Sequence, residues 1–295
     1  MTEPIPALPC WLNGELSNVR EAKVSVLDRG FIFGDGVYEV VPAYAGRPFR
    51  FEEHMARLDR SLGELRIANP MDRAGWRAVV EQLISAYAQY AGKPPEETNQ
   101  LVYLQVTRGV AMRDHVMPPD LQPTVFAMVN RLSIYSAEER ARGVACVTAD
   151  DFRWKKAHIK TTSLAAAVLA RQMSADEDAN ETVMFRDGFM SEGAASNVWV
   201  VKDGVVLGPP RDNLVLEGIR YGLIEQLCQQ AGIPFALRRV TRGEVLAADE
   251  IILSSATKEV LPCTRLDGRP VGNGMPGPIY DKLFQGYQQA KRRSS

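Results

Sequence analysis

The sequence is poor in the residues that announce the commoner kinds of site. Its 295 residues hold three histidines, at 54, 115 and 158, too far apart for a metal site by local spacing. Four cysteines, Cys10, Cys146, Cys228 and Cys263, are scattered with no C-x-x-C. Buried thiols in a reducing compartment fit them better than disulfides or zinc. Neither sign of charge is in excess: 35 basic against 36 acidic residues leave a formal net charge of −1. That gives no basic field for nucleic acid or an anionic membrane. No apolar run approaches the ~20 residues of a membrane span. The opening Met1-Thr2-Glu3-Pro4-Ile5-Pro6 has neither the basic region nor the apolar core of a secretory signal. A cytoplasmic protein is the expectation. Phosphate and nucleophile motifs are missing too. There is no G-x-x-x-x-G-K-[ST], and Gly193-Ala194-Ala195-Ser196-Asn197 lacks the closing glycine of a nucleophile elbow. Gly34-Asp35-Gly36 is half of a dinucleotide loop and is better explained as a tight turn.

What is there reads as a globular chain, 45% hydrophobic and 24% charged, long enough for two domains. Lys23 to Leu27 alternates like a strand, and Asp28 to Gly36 makes a tight connection. Val37 to Tyr44 is a second strand, turned by Ala45-Gly46-Arg47-Pro48 into Phe49-Arg50-Phe51. Helices are predicted over Glu52 to Leu65 and Asp72 to Tyr90, then strands over Leu101 to Thr107 and Thr124 to Val129. The polar stretch Ser133 to Arg142 marks the break between an N-terminal domain over 1–132 and a C-terminal one over 137–295. Beyond it come a strand from Val144, hairpins turned at Asp187-Gly188 and Asp203-Gly204, and the strand Glu250 to Leu253. Helices are predicted from Ile219, from Arg242 and from Pro278. The fold class is α+β.

One stretch stands apart. His158-Ile159-Lys160-Thr161-Thr162-Ser163 leads directly into the Ala-rich helix Leu164 to Gln172. The hydroxyl residues are natural helix caps, so Lys160 is expected at a helix start. An amine near the positive end of a helix dipole is pushed toward the neutral form that attacks carbonyls. On position alone, a solvated surface lysine explains it as well.

Five pieces in register resolve that choice. Asp28-Arg29-Gly30-Phe31-Ile32-Phe33-Gly34-Asp35-Gly36-Val37-Tyr38-Glu39-Val40 is followed by His54-Met55-Ala56-Arg57-Leu58 and His158-Ile159-Lys160. Ser191-Glu192-Gly193-Ala194-Ala195-Ser196-Asn197-Val198 and Leu216-Glu217-Gly218-Ile219 complete the set. Together they resemble the fold-type IV pyridoxal-phosphate enzymes, over about Trp11 to Tyr287. That family includes branched-chain and D-amino acid aminotransferases and aminodeoxychorismate lyases. The resemblance implies a small N-terminal α/β domain and a larger C-terminal domain of antiparallel sheets, a pseudobarrel with covering helices.

Pyridoxal 5'-phosphate is the cofactor so implied, with Lys160 as its Schiff-base lysine and the carrier of the α-proton. By the same resemblance Glu192 faces the pyridine nitrogen and keeps it protonated, making the ring a better electron sink. Arg57 would grip the phosphate, with the N–H groups at Ile219 and Arg220 and the Thr257 hydroxyl beside it. The family commonly has threonine where Arg220 stands, so that hydroxyl is lost, and the guanidinium either replaces it or turns to solvent. Arg113 and His115 resemble the carboxylate trap of D-amino acid aminotransferases, with Tyr38 as third member. In those enzymes the loop reaches the neighbouring subunit, which implies a homodimer. The expected reaction is transamination between a D-amino acid such as D-alanine and 2-oxoglutarate or pyruvate. An (R)-amine or L-branched-chain aminotransferase of the same fold is the alternative, and a non-catalytic cofactor-binding protein the rival outside catalysis.

Overall fold

The structure, a computed structural model, describes residues 5–293, so the first four residues of the opening hexapeptide lie outside it. The described chain forms two compact units. One runs to Ser133 and takes in Ile159–Leu164; the other comprises Ile134–His158 and Ala165–Arg293.

The first unit contains β1 (Pro9–Leu12), β2 (Glu15–Asn18), α1 (Arg29–Phe33), β3 (Gly36–Tyr44), β4 (Arg47–Pro48), α2 (Phe51–Glu64), α3 (Arg73–Ala91), β5 (Gln100–Thr107) and β6 (Thr124–Arg131). Its six strands lie in the order β2-β1-β6-β5-β3-β4, every pairing antiparallel. Period-two alternation sends Val37, Val41, Val102, Leu104 and Val106 to one face. There they pack with Met55, Leu58 and Leu62 of α2 and Trp76, Val80 and Leu83 of α3. Tyr38, Tyr103, Gln105 and Phe126, at the alternate positions, keep the other face half-open.

Three local expectations fail here. Lys23 to Leu27 pairs with no strand; it is extended chain ending in a turn, with Val24 and Val26 exposed, because alternation without a partner strand makes no ladder. The connection after it contains a helix, α1, because Asp28 Oδ1 caps Gly30 N–H at 2.8 Å and Gly34 closes it at φ 66°. Phe51 opens α2 instead of ending a strand. A further hairpin, β1–β2, turns at Asn13-Gly14, where both φ values are positive and Asn-Gly is the strongest short-range hairpin signal.

The second unit contains α4 (Ala137–Arg142), β7 (Val144–Asp150), α5 (Ala165–Asp176), β8 (Glu181–Arg186), β9 (Phe189–Gly193), β10 (Asn197–Lys202), β11 (Val205–Gly208) and α6 (Arg220–Gln230). It continues with β12 (Phe235–Leu237), α7 (Arg242–Leu246), β13 (Glu250–Ser255), β14 (Glu259–Leu266), β15 (Arg269–Pro270) and α8 (Pro278–Arg293). Eight strands follow the order β12-β11-β10-β13-β14-β7-β8-β9, and β15 pairs β14. Most pairings are antiparallel, as the hairpin turns dictate: Asp187-Gly188 and Asp203-Gly204 have positive φ at both central positions. The sheet is nonetheless mixed. The chain passes through α5 between β7 and β8 and through α6 between β11 and β12, and such helical crossovers return strands in parallel. β7 also runs parallel to β14. The architecture is α+β in two units. No helix among the described residues is long and apolar enough to cross a membrane.

Candidate active site

In the first unit Lys160 is held by the sheet, not by a helix cap. Tyr38 N–H donates to the Lys160 carbonyl at 3.0 Å, and Thr162 N–H donates to the Gly36 carbonyl at 2.9 Å. Lys160 N–H donates to Ser61 Oγ at 3.2 Å. The hydroxyls expected to cap α5 turn instead to the chain after α1. Thr161 Oγ1 donates to the Gly36 carbonyl at 3.0 Å, while Thr162 Oγ1 and Ser163 Oγ donate to that of Gly34 at 3.0 and 2.9 Å. A short extended segment thus rides on β3, bridged at Val37 and Thr161, and α5 begins only at Ala165. The Lys160 Nζ lies 4.2 Å from the centroid of the Tyr38 ring. Tyr38 in turn stacks on Tyr103, with ring centroids 5.7 Å apart.

Arg57 is buried on α2. Its Nε and Nη2 donate to the two oxygens of Glu39 at 2.7 and 2.8 Å, and His54 Nδ1 lies 2.7 Å from Glu39 Oε2. Burial would raise the Glu39 carboxyl, but Arg57 beside it, with help from His54, holds it far below the usual range. A charge at a core-facing strand position has to be paired, so Glu39, flanked by Val37 and Val41 on its face, is itself a sequence signal for a buried cation such as Arg57. The fork on Glu39 fixes the guanidinium's orientation.

Arg113 and His115 come together on one ring. The Phe33 centroid lies 5.4 Å from the Arg113 guanidinium carbon and 5.4 Å from the His115 ring. Both residues are exposed on the first unit, whereas Tyr38 belongs to the group around Lys160.

In the second unit Glu192, on β9, is buried. It accepts from Arg153 Nη1, from Leu216 N–H at 3.1 Å and from Asn197 Nδ2 at 3.2 Å. Burial pushes its carboxyl up, against the pull of Arg153. Burial also works against the Arg153 charge, but Glu192 and then Asp151 more than offset it and hold the guanidinium above its ordinary range. The pair is best described by its geometry: a cation in hydrogen-bond contact with each carboxylate. No local pattern marks Arg153 as a site residue. Its role depends on Asp151 and Glu192, the latter distant in sequence.

Asn197 ties this acid to the helix start that follows. Its amide also donates to the Leu216 carbonyl at 2.9 Å, and a Cβ at Gly218 would collide with Asn197 Oδ1. Only glycine allows that approach. Ile219 then caps α6 and Arg220 opens it. A helix start leaves its first N–H groups without intrahelical acceptors, which suits an anion. The Arg220 side chain does not turn to solvent. It is buried, and its Nε and Nη2 donate to Tyr287 of α8 at 3.3 and 3.1 Å. Thr257 lies between β13 and β14, its Oγ1 3.4 Å from Ser255 Oγ.

Solved structures share this two-sheet fold. A branched-chain amino acid aminotransferase from T.th., with pyridoxamine 5'-phosphate, superposes with a TM-score of 0.87, at 25% identity, over 99% of this chain and 96% of that one. A fold IV transaminase from Curtobacterium pusillum matches 92% of this chain and 91% of its own, at a TM-score of 0.78 and 25% identity. Residues 36–266 match the model of amino-transferase class IV. The chain belongs to that family and is a pyridoxal-phosphate-dependent aminotransferase. Among curated relatives, the D-alanine aminotransferase of Bacillus licheniformis is 38% identical over 267 residues, covering 90% of this chain and 91% of its own. That of Staphylococcus epidermidis is 36% identical over 280 residues, covering 95% and 96%.

Proposed function

We propose that this enzyme moves the amino group of a D-amino acid such as D-alanine to a 2-oxo acid, 2-oxoglutarate or pyruvate, and that it works as a homodimer in the cytoplasm. The reading rests on the curated relatives' activity and on the pairing of Arg113 with His115 over Phe33, a cation and an imidazole suited to a substrate α-carboxylate. The donor chemistry fits pyridoxal phosphate: a buried acid for the ring nitrogen, and an oriented arginine and an open helix start for the phosphate. When bound, the cofactor supplies an electron-poor ring that accepts the electrons of the bond broken at the substrate α-carbon.

The chain's own residues do the rest. Lys160 Nζ is the amine that holds the cofactor covalently and, once free, carries the proton to and from the substrate α-carbon. Its backbone bonds to Tyr38 and Ser61 limit its reach to one arc, and that fixed main chain is the observation that carries the assignment. Glu192 holds a proton on the ring nitrogen, and Arg153 and Asn197 orient its oxygens. Arg57, the N–H groups of Ile219 and Arg220, and the Thr257 hydroxyl bind the phosphate. Tyr38 shares the carboxylate with Arg113 and His115. The dimer reading is supported by the apolar surface of the first unit, where Val26, Phe31, Met112 and Val116 are each at least 72% exposed. The cysteines, all free and buried, suit a reducing compartment.

Colour tests the whole reading. The purified holoenzyme should be yellow and bleach with D-alanine but not L-alanine. Bleaching by L-leucine or an (R)-amine alone would replace the substrate assignment, and a yellow protein indifferent to all three would remove turnover. Light scattering at twice the chain mass is expected for the dimer, and a monomer would overturn it.

A further inference from the structure

The motif Asp28 to Gly36 contributed only to the resemblance, yet its two charged ends are used in the structure. Arg29 is buried on α1, and its Nε donates to Asp35 Oδ2 at 2.8 Å. Its Nη1 donates to the Asp114 carbonyl at 2.6 Å, the residue between Arg113 and His115. The same guanidinium lies 4.8 Å from the Phe33 centroid, the ring that Arg113 and His115 also approach. Asp35 also holds the start of that loop. Arg108, where the loop leaves β5, donates from Nε to Asp35 Oδ2 at 2.7 Å and from Nη2 to Oδ1 at 3.0 Å. Backbone bonds close the remainder: Arg29 N–H to the Gly109 carbonyl at 2.9 Å and Ala111 N–H to that of Leu27 at 3.3 Å.

One carboxylate therefore anchors two guanidiniums, and these grip the loop at 108 and at 114. We propose that Arg29, fixed by Asp35, is a positioning residue that sets where Arg113 and His115 present their donors, and so sets affinity for the substrate carboxylate. The proposal rests on the reading that Arg113 and His115 bind that carboxylate. The geometry gives the reason Arg29 has to be arginine. Its planar fork reaches a carboxylate and a carbonyl at once while its flat face lies against Phe33, which a single ammonium cannot do. The loop's outer side chains are exposed, so its inner hold is what limits how far Arg113 can swing.

Steady-state kinetics of the Arg29→Met and Arg29→Lys holoenzymes test it. Both should raise KM for D-alanine about tenfold while kcat at saturation stays within about twofold, since the loop is loosened and not the proton-transfer step. A competing carboxylate without an amine, propionate, should inhibit both variants about tenfold less well. Recovery of wild-type KM by Arg29→Lys would mean that charge alone matters and would overturn the positioning role. A parallel fall of kcat with unchanged KM, tracking a lowered melting temperature, would make Arg29 merely structural and overturn it also. If Arg29 variants fail to fold, Phe33→Leu is the second test: the same KM rise supports the proposal and an unchanged KM defeats it. Arg113→Met separates the two claims. An unchanged KM there defeats the carboxylate reading itself, whereas a raised KM there with wild-type KM in the Arg29 variants defeats the positioning role alone.

Discussion

At the scale of single residues, two cations of the second unit, Arg153 and Arg220, differ in what they hold. Arg153 is trapped between Asp151 and Glu192; removing it leaves buried Glu192 without the cation it meets, whereas Asp151 keeps Arg186 at 3.2 Å. Breaking one side of a buried pair typically costs about 3–5 kcal/mol; Arg153→Met should lower the unfolding free energy of the apoprotein by about that amount, read by urea titration. Arg220 instead satisfies a tyrosine. Arg220→Thr restores the family's hydroxyl but leaves Tyr287 with less to bond, and should destabilise by about 1–3 kcal/mol in the same titration. Cofactor affinity should change by less than about twofold; a tenfold loss, worth about 1.4 kcal/mol, would show that the guanidinium serves the phosphate. Both residues were visible in the sequence, but their partners were not. Asp151 stands two positions from Arg153, whereas Glu192 and Tyr287 lie 39 and 67 positions from the arginines they meet.

Elements carry the next set of constraints. α2 and α3 were legible because long 3.6-period apolar patterns and capping residues survive any tertiary context: Asp72 accepts from Gly75 N–H at 2.8 Å, as an N-cap should. The strand read at Lys23 and the helix cap read at Ser163 failed because both depended on a neighbour that sequence does not specify. The hydroxyls could accept from the first N–H groups of a helix or donate to nearby carbonyls, and the carbonyls of Gly34, closing α1, and Gly36, opening β3, won. The turn before α6 is constrained as tightly as any element. Gly218→Ala would press a Cβ onto Asn197, which links Glu192 to the Leu216 carbonyl. Displacing that amide should weaken cofactor binding at least about tenfold, measured by absorbance or fluorescence titration of apoprotein with pyridoxal phosphate. Binding within twofold of wild type would mean that the turn can give way without moving the acid.

For the whole molecule, acid titration sums opposed groups. Burial would raise Asp35 and Asp151, but Arg108 and Arg29 in the first case and Arg153 in the second hold them below the ordinary 3.8, and Glu39 lies far below 4.5. A carboxyl depressed in the folded state stabilises above its unfolded value and loses that contribution as pH falls through its folded one. Glu192 and Glu250 are raised, chiefly by burial, so each costs stability while ionised and stops doing so as pH drops. The apoprotein's melting temperature should therefore rise slightly from pH 7 to about 5 and fall steeply below about 4. A melting temperature that shows no rise as pH drops toward about 5 and falls only through the ordinary carboxylate range would show that Glu192 is stabilised as the anion.

The two-unit α+β character, the long helices, the Asp-Gly hairpins and the order of the family's motifs were all legible along the chain. These depend on local periodicity, capping and turn chemistry, which act over a few residues and need no partner. Only contacts across the fold fasten Lys160 to β3, orient Arg57 on Glu39, turn Arg220 to α8, and let Asp35, directly and through Arg29, hold the Arg113 loop at Arg108 and at Asp114. Each of these is a contact between segments far apart in the chain. Which buried charge meets which is set by sheet order and crossover, and a linear pattern of charges carries no record of either.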